Sequence, residues 1–190
     1  MGSGSSKMSK DEFNKLKDET HFEKREIHQW YKGFMKDCPT GSMSKEDFQN
    51  IYRQFFPFGD SSAFSEFVFN VFDKDNNGLI DFKEFIKALS ITSRGTLEDK
   101  LIWSFELYDI DGNGRISYQE MLSIVTAIYK MVGTMVKLPE DESTPEKRVD
   151  KVFSRMNKTK DDELTLEEFR IGSKADPTIV SALNLYDGLV

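Results

Sequence analysis

Two stretches of this chain place oxygen-bearing side chains at intervals that suit one hard cation each. In the first, Asp73, Asp75, Asn77, Leu79, Asp81 and Glu84 stand at positions 1, 3, 5, 7, 9 and 12, with Gly78 at position 6. In the second, Asp109, Asp111, Asn113, Arg115, Ser117 and Glu120 repeat the arrangement, with Gly114 at the turn. Ca²⁺ takes about six to eight oxygen ligands at roughly 2.3–2.6 Å in flexible geometry. Side-chain oxygens at positions 1, 3 and 5 begin such a shell. Position 7 adds its backbone carbonyl, position 9 acts through water, and the final Glu closes the shell with both oxygens. This is ligation without catalysis. No nucleophile–base pair, phosphate loop or catalytic metal cluster accompanies it, so the sequence does not read as an enzyme. His21, His28 and Cys38 make no zinc-ligand spacing.

Loops of this kind need rigid elements at both ends, and the sequence supplies them. Phe64, Phe67, Val68, Val71 and Phe72 precede the first stretch at helical spacing, and Phe85, Ile86 and Leu89 follow it. Leu101, Phe105 and Tyr108, then Met121, Leu122, Val125 and Ile128, do the same for the second. The unit is helix, polar loop, helix, and the same frame finds two weaker copies at 36–47 and 157–168. An acidic, proline-bounded connection, Leu138–Pro145, lengthens the gap before the last copy.

The weaker copies have lost ligands. Loop 36–47 has Lys36 at position 1, Cys38 at position 3, Pro39 at position 4 and Asp47 at position 12, and is expected not to bind Ca²⁺. It keeps Gly41 and Met43, which suit it to pair structurally with its neighbour. Loop 157–168 retains Asp161 and Glu168 but has Asn157, Thr159 and, at the turn, Asp162. A non-glycine residue there implies an unfavourable positive φ. Two Ca²⁺ sites are therefore expected, with a third at 157–168 weak or absent.

The chain has 190 residues and a net charge of −7, which argues against a nucleic-acid partner. Its single cysteine permits no internal disulfide and suits a reducing cytoplasmic setting, with a monomer expected. The apolar run Met121–Tyr129 is half the length of a membrane span, and the first residues are small and polar, unlike a secretory signal.

The loops are EF-hand loops, and blocks outside them resemble the neuronal calcium sensor family, most closely its frequenin group. These are Trp30-Tyr31-Lys32-Gly33-Phe34, Lys36-Asp37-Cys38-Pro39, Phe55-Phe56-Pro57-Phe58-Gly59, Thr92-Ser93-Arg94-Gly95-Thr96 and Leu185-Tyr186-Asp187-Gly188-Leu189-Val190. The fold expected is all-α: four EF-hand helix–loop–helix units in two pairs, with short loop-to-loop β-bridges. The expected segments are an N-terminal arm 1–21, a first pair 22–92, a linker 93–96, a second pair 97–172 and a tail 173–190. The family's disabled first hand carries the Cys-Pro pair seen at Cys38-Pro39, whereas frequenins usually have three working loops. The resemblance implies a myristoylated sensor, peripheral on the cytosolic face of membranes. Gly2 in Met1-Gly2-Ser3-Gly4-Ser5-Ser6 fits the lipidation pattern, and Lys7, Lys10, Lys15 and Lys17 follow it. It further implies a groove for amphipathic helices of targets such as phosphatidylinositol 4-kinase, receptor kinases or receptor tails. Phe22, Trp30, Phe34, Phe48, Ile51, Tyr52, Phe55, Phe85, Leu89 and Trp103 are its candidate lining, and Pro177–Tyr186 a candidate internal occupant. The alternative is a Ca²⁺ buffer without a switch.

Overall fold

A computed structural model describes residues 7–57, 59–132 and 137–176. Gly2 and the segment 177–190 lie outside the described residues, as does the Phe55 side chain. The elements run α1 (Lys10–Glu19), α2 (Lys24–Asp37), β1 (Ser42–Ser44), α3 (Lys45–Phe55), α4 (Ser62–Phe72), β2 (Leu79–Asp81) and α5 (Phe82–Arg94). They continue as α6 (Leu97–Tyr108), β3 (Arg115–Ser117), α7 (Tyr118–Val132), α8 (Pro145–Arg155), β4 (Glu163–Thr165) and α9 (Leu166–Ala175). The architecture is helical with two small strand pairs, as the sequence implied.

One local device starts the helix after every loop. Position 9 is the N-cap and position 12 its reciprocal partner, a capping box in which each side chain accepts from the other residue's backbone N–H. Ser44 and Asp47 form it on α3, Asp81 and Glu84 on α5, and Thr165 and Glu168 on α9. On α7, Glu120 N–H donates to Ser117 Oγ at 3.1 Å and Ser117 N–H to Glu120 Oε2 at 2.7 Å. Capping therefore survives in all four loops whatever their ligands have become.

Position 8 does the second common job. β1 pairs antiparallel with β2, setting Met43 opposite Ile80, and β3 with β4, setting Ile116 opposite Leu164. These four side chains are buried at the centre of each loop pair. Each fully buried Ile or Leu contributes on the order of 1.5–3 kcal/mol, so the loops are held by their apolar middles.

The two hand pairs pack on one another through α4 against α6 and α7, and α5 against α6. Phe72 at the end of α4 meets Trp103 of α6 with ring centroids 6.3 Å apart. Gly59 approaches α7 so closely that a Cβ would run into the Met131 carbonyl. α1 lies on α2 through buried Phe13 and Leu16, and Glu12 and Glu19 each pair with a lysine of α5, Lys83 and Lys87, at 2.7 Å. The connection before α8 is pinned by charge. Glu142, nearly buried, holds Arg148 and Lys151 at 2.6 Å each, which keeps its carboxyl below the usual range, and Tyr129 of α7 donates to its carbonyl.

Candidate metal centres and the adjoining cavity

In loop 73–84, backbone N–H groups gather the side chains around a common point. Asp73 accepts from Asn77 N–H at 3.1 Å and Gly78 N–H at 2.9 Å, and Asp75 accepts from Asn77 N–H at 3.1 Å. Asn77 Oδ1 accepts from Leu79 N–H at 2.8 Å, and Glu84 Oε1 from Asp75 N–H at 3.3 Å. Asp73, Asp75 and Glu84 each offer a carboxylate oxygen, all within 4.8 Å of one another. Loop 109–120 repeats every one of these bonds, from Asp109 accepting Asn113 and Gly114 N–H to Glu120 Oε1 accepting Asp111 N–H at 3.2 Å. Its Asp109, Asp111 and Glu120 make the second such cluster.

Backbone twist makes the gathering possible. Asn76 and Gly78 at positions 4 and 6 have φ of 55° and 82°, and Gly112 and Gly114 have 69° and 83°. Two left-handed residues fold each loop tightly enough for positions 1, 3 and 5 to converge, which favours Gly or Asn there. Leu79 and Arg115, which owe the site only a carbonyl, leave their side chains exposed.

The electrostatics match a site built for a cation. Burial raises the Glu84 carboxyl, aided by the Asp81 and Asp75 charges, and burial and Asp111 raise Asp109. A cluster of like charges partly withdrawn from water favours protons or a metal ion. The donors are all oxygens, without thiolate or imidazole, which fits a hard ion such as Ca²⁺ and not zinc.

Comparison with known proteins agrees. The EF-hand domain pair family matches residues 98–174, and the EF hand domain family residues 65–92. Neuronal calcium sensor 1 of Lymnaea stagnalis is 60% identical over 98% of both chains, and that of Aplysia californica 59% over the same share of each. The chain belongs to the neuronal calcium sensor family.

In this family member the first and fourth loops are built differently. Loop 36–47 keeps one left-handed residue, Gly41 at φ 88°, because Pro39 locks position 4 out of that region. Cys38 is buried, and its desolvation raises its thiol above the ordinary value. Loop 157–168 corrects the expectation of a strained turn at Asp162. The left-handed residue is Asn157, φ 55°, at position 1, where it ends α8 with Lys158 N–H donating to the Phe153 carbonyl. Asp162 Oδ2 instead accepts from Thr159 N–H at 2.7 Å and Thr159 Oγ1 at 2.9 Å. Lys158 Nζ lies 2.7 Å from Glu168 Oε1 and holds that carboxyl below the usual range. Among the described residues, the carboxylate clusters are those of loops 73–84 and 109–120.

A cavity of about 370 Å³ opens beside the first hand pair. It is lined by Trp30, Phe34, Phe48, Ile51, Tyr52, Phe85 and Leu89 of the expected groove. Phe22 and Trp103 are elsewhere. Phe22 is buried under the Arg94 guanidinium, 4.6 Å from its ring, and Trp103 is buried against Phe72. Helical periodicity marks both residues as inward-facing without separating core from cavity wall. Sequence reasoning missed Cys38, Met43 and Phe72 as lining residues. Met43 and Cys38 come from the loop that lost its ligands, and Phe72 immediately precedes Asp73. For Phe72, adjacency to Asp73 was the available signal.

Proposed function

We propose that this chain is a Ca²⁺ sensor whose ions are held by Asp73, Asp75, Asn77, the Leu79 carbonyl, Asp81 and Glu84, and by Asp109, Asp111, Asn113, the Arg115 carbonyl, Ser117 and Glu120. Loop 157–168 is weak or empty at cellular Ca²⁺: Asn157 and Thr159 replace acids at positions 1 and 3, Asp162 stands at the turn and ties up Thr159, and Lys158 pairs with Glu168. Bound Ca²⁺ would supply the positive charge that the clustered carboxylates otherwise lack.

One observation carries the sensor reading over the buffer reading. The ligands at both ends of loop 73–84 have cavity residues as chain neighbours: Phe72 precedes Asp73, and Phe85 follows Glu84. Leu89 lies one turn further along α5, in the same wall. A shift of Asp73 or Glu84 therefore moves the cavity lining directly, through rigid helices. The apolar lining suits one face of an amphipathic helix. A membrane-bound target such as phosphatidylinositol 4-kinase, or a receptor kinase or receptor tail, is the class of partner this supports, given the family. Attachment at the cytosolic face through a myristoyl group on Gly2 belongs to the same reading. It is supported by the sequence pattern and by Lys7, Lys10, Lys15 and Lys17 behind it. No helix among the described residues is long and apolar enough to cross a membrane.

Trp30 lines the cavity, so its fluorescence tests the coupling. In a Trp103→Phe background, Ca²⁺ should shift Trp30 emission in the parent and in Glu120→Gln, and not in Glu84→Gln. A Trp30 signal indifferent to Glu84→Gln would overturn the sensor reading.

A further inference from the structure

The connection before α8 carries a motif that Ca²⁺ sensing does not use. Thr144-Pro145-Glu146-Lys147 is the one Ser/Thr-Pro step in the chain, with a basic residue three places after the threonine. We propose that Thr144 is a phosphorylation site for a proline-directed Ser/Thr protein kinase. The γ-phosphoryl group of ATP passes to Thr144 Oγ1, its proton goes to the kinase's base, and ADP leaves.

The local structure suits the reaction. Ser143 and Thr144 are exposed, and Thr144 is extended at φ −125° and ψ 155°, the backbone form that a following proline enforces. A kinase that reads proline after its acceptor needs no N–H at that position, and Pro145 has none to give. The kinase must also draw Pro145–Lys147 out of the first turn of α8. The first N–H groups of a helix have no partner within it, so few backbone bonds must open there. Opening it breaks the Lys147 N–H bond to Thr144 Oγ1, 3.2 Å, and the Arg148 N–H bond to the Thr144 carbonyl, 3.1 Å.

The product also has partners waiting. A phosphothreonine carries about −1.5 to −2 charges. Lys147 Nζ already lies over this end of the helix, 3.1 Å from Ser143 Oγ and 3.2 Å from the Glu140 carbonyl. Arg148 and Lys151, bound to Glu142, stand next along α8. The phosphate therefore arrives at the clamp that joins α8 to Tyr129 of α7, the helix that begins at loop 109–120.

The test is incubation of the full-length folded chain with a recombinant proline-directed kinase and ATP, followed by site mapping with tandem mass spectrometry. One phosphate per chain is expected at Thr144. It should be retained at the same position in Thr144→Ser, which keeps the helix cap, and lost in Thr144→Ala and Pro145→Ala. Label that persists undiminished in Thr144→Ala would overturn the assignment. So would label that enters Thr144 of the heat-denatured chain and not of the folded one.

Discussion

Loops 73–84 and 157–168 both carry a lysine at position 2, and the two lysines go opposite ways. Lys74 turns outward and pairs with Glu106 of α6. Lys158 turns inward and takes Glu168, the carboxylate that would close a Ca²⁺ shell. The difference begins at the turn. In loop 73–84 a glycine sits at position 6, and Glu84 Oε1 is engaged by the N–H of Asp75. In loop 157–168 the turn residue is Asp162, whose carboxylate captures the N–H and hydroxyl of Thr159. Glu168 Oε1 is then available to the nearest cation. One side chain at the turn thus redirects the bond that organises the far end of the loop.

The largest effects are expected in the two loops that keep their ligands. Glu84→Gln and Glu120→Gln each remove a charged, two-oxygen ligand and should weaken their own site about 100-fold, from the sensor range toward the millimolar range. Calorimetry should then count one tight site in each variant and two in the parent. A parent with three tight sites, or a variant that keeps two, would contradict the assignment of loop 157–168 as weak or empty.

Rebuilding the other side is the next largest effect. Asn157→Asp, Thr159→Asp and Asp162→Gly together restore acids at positions 1 and 3 and glycine at the turn. The triple variant should gain a third site even though Lys158 remains, because Lys74 at the same position of loop 73–84 turns away from the carboxylate cluster to Glu106. Absence of a third site would place the defect in the left-handed backbone at position 157, which ends α8, or in Lys158, and not in the ligands at positions 1 and 3.

These tests also mark what could be read in advance. Ligand spacing and the helix–loop–helix frame were legible because each depends on neighbours within twelve residues; the capping boxes went unread although Ser44–Asp47, Asp81–Glu84 and Thr165–Glu168 carry their spacing. That loop 36–47 suits pairing with its neighbour was read from Gly41 and Met43; the register, Met43 with Ile80 and Ile116 with Leu164, came from the structure. The route of Lys158 was not legible, because a lysine at position 2 carries no signal by itself. Its direction depends on a competition between Thr159 N–H acceptors. Likewise the composition of the cavity wall turned on helix packing between distant segments, which sent Phe22 and Trp103 inward and brought Met43 and Cys38 to the surface of the cavity.

The smallest expected effect isolates the lysine itself. Lys158→Met removes the ammonium while keeping much of its apolar stem. The pair is partly exposed, at 23% and 39% of the side-chain surfaces, so solvent limits its worth to under about 1 kcal/mol. Because Lys158 lowers the Glu168 carboxyl in the folded state, that stability is fully present above the ordinary Glu value of about 4.3. It disappears as pH falls through the lowered native value. Urea unfolding in the presence of a chelator should therefore find Lys158→Met less stable than the parent at neutral pH, with the gap closing in acid. Lys74→Met provides the reference. Its lysine bonds to Glu106 and not to Glu84, so its Ca²⁺ sites should be unchanged in number. An equal stability gap for Lys158→Met at neutral and acid pH would mean that the lysine acts through packing and not by neutralising Glu168.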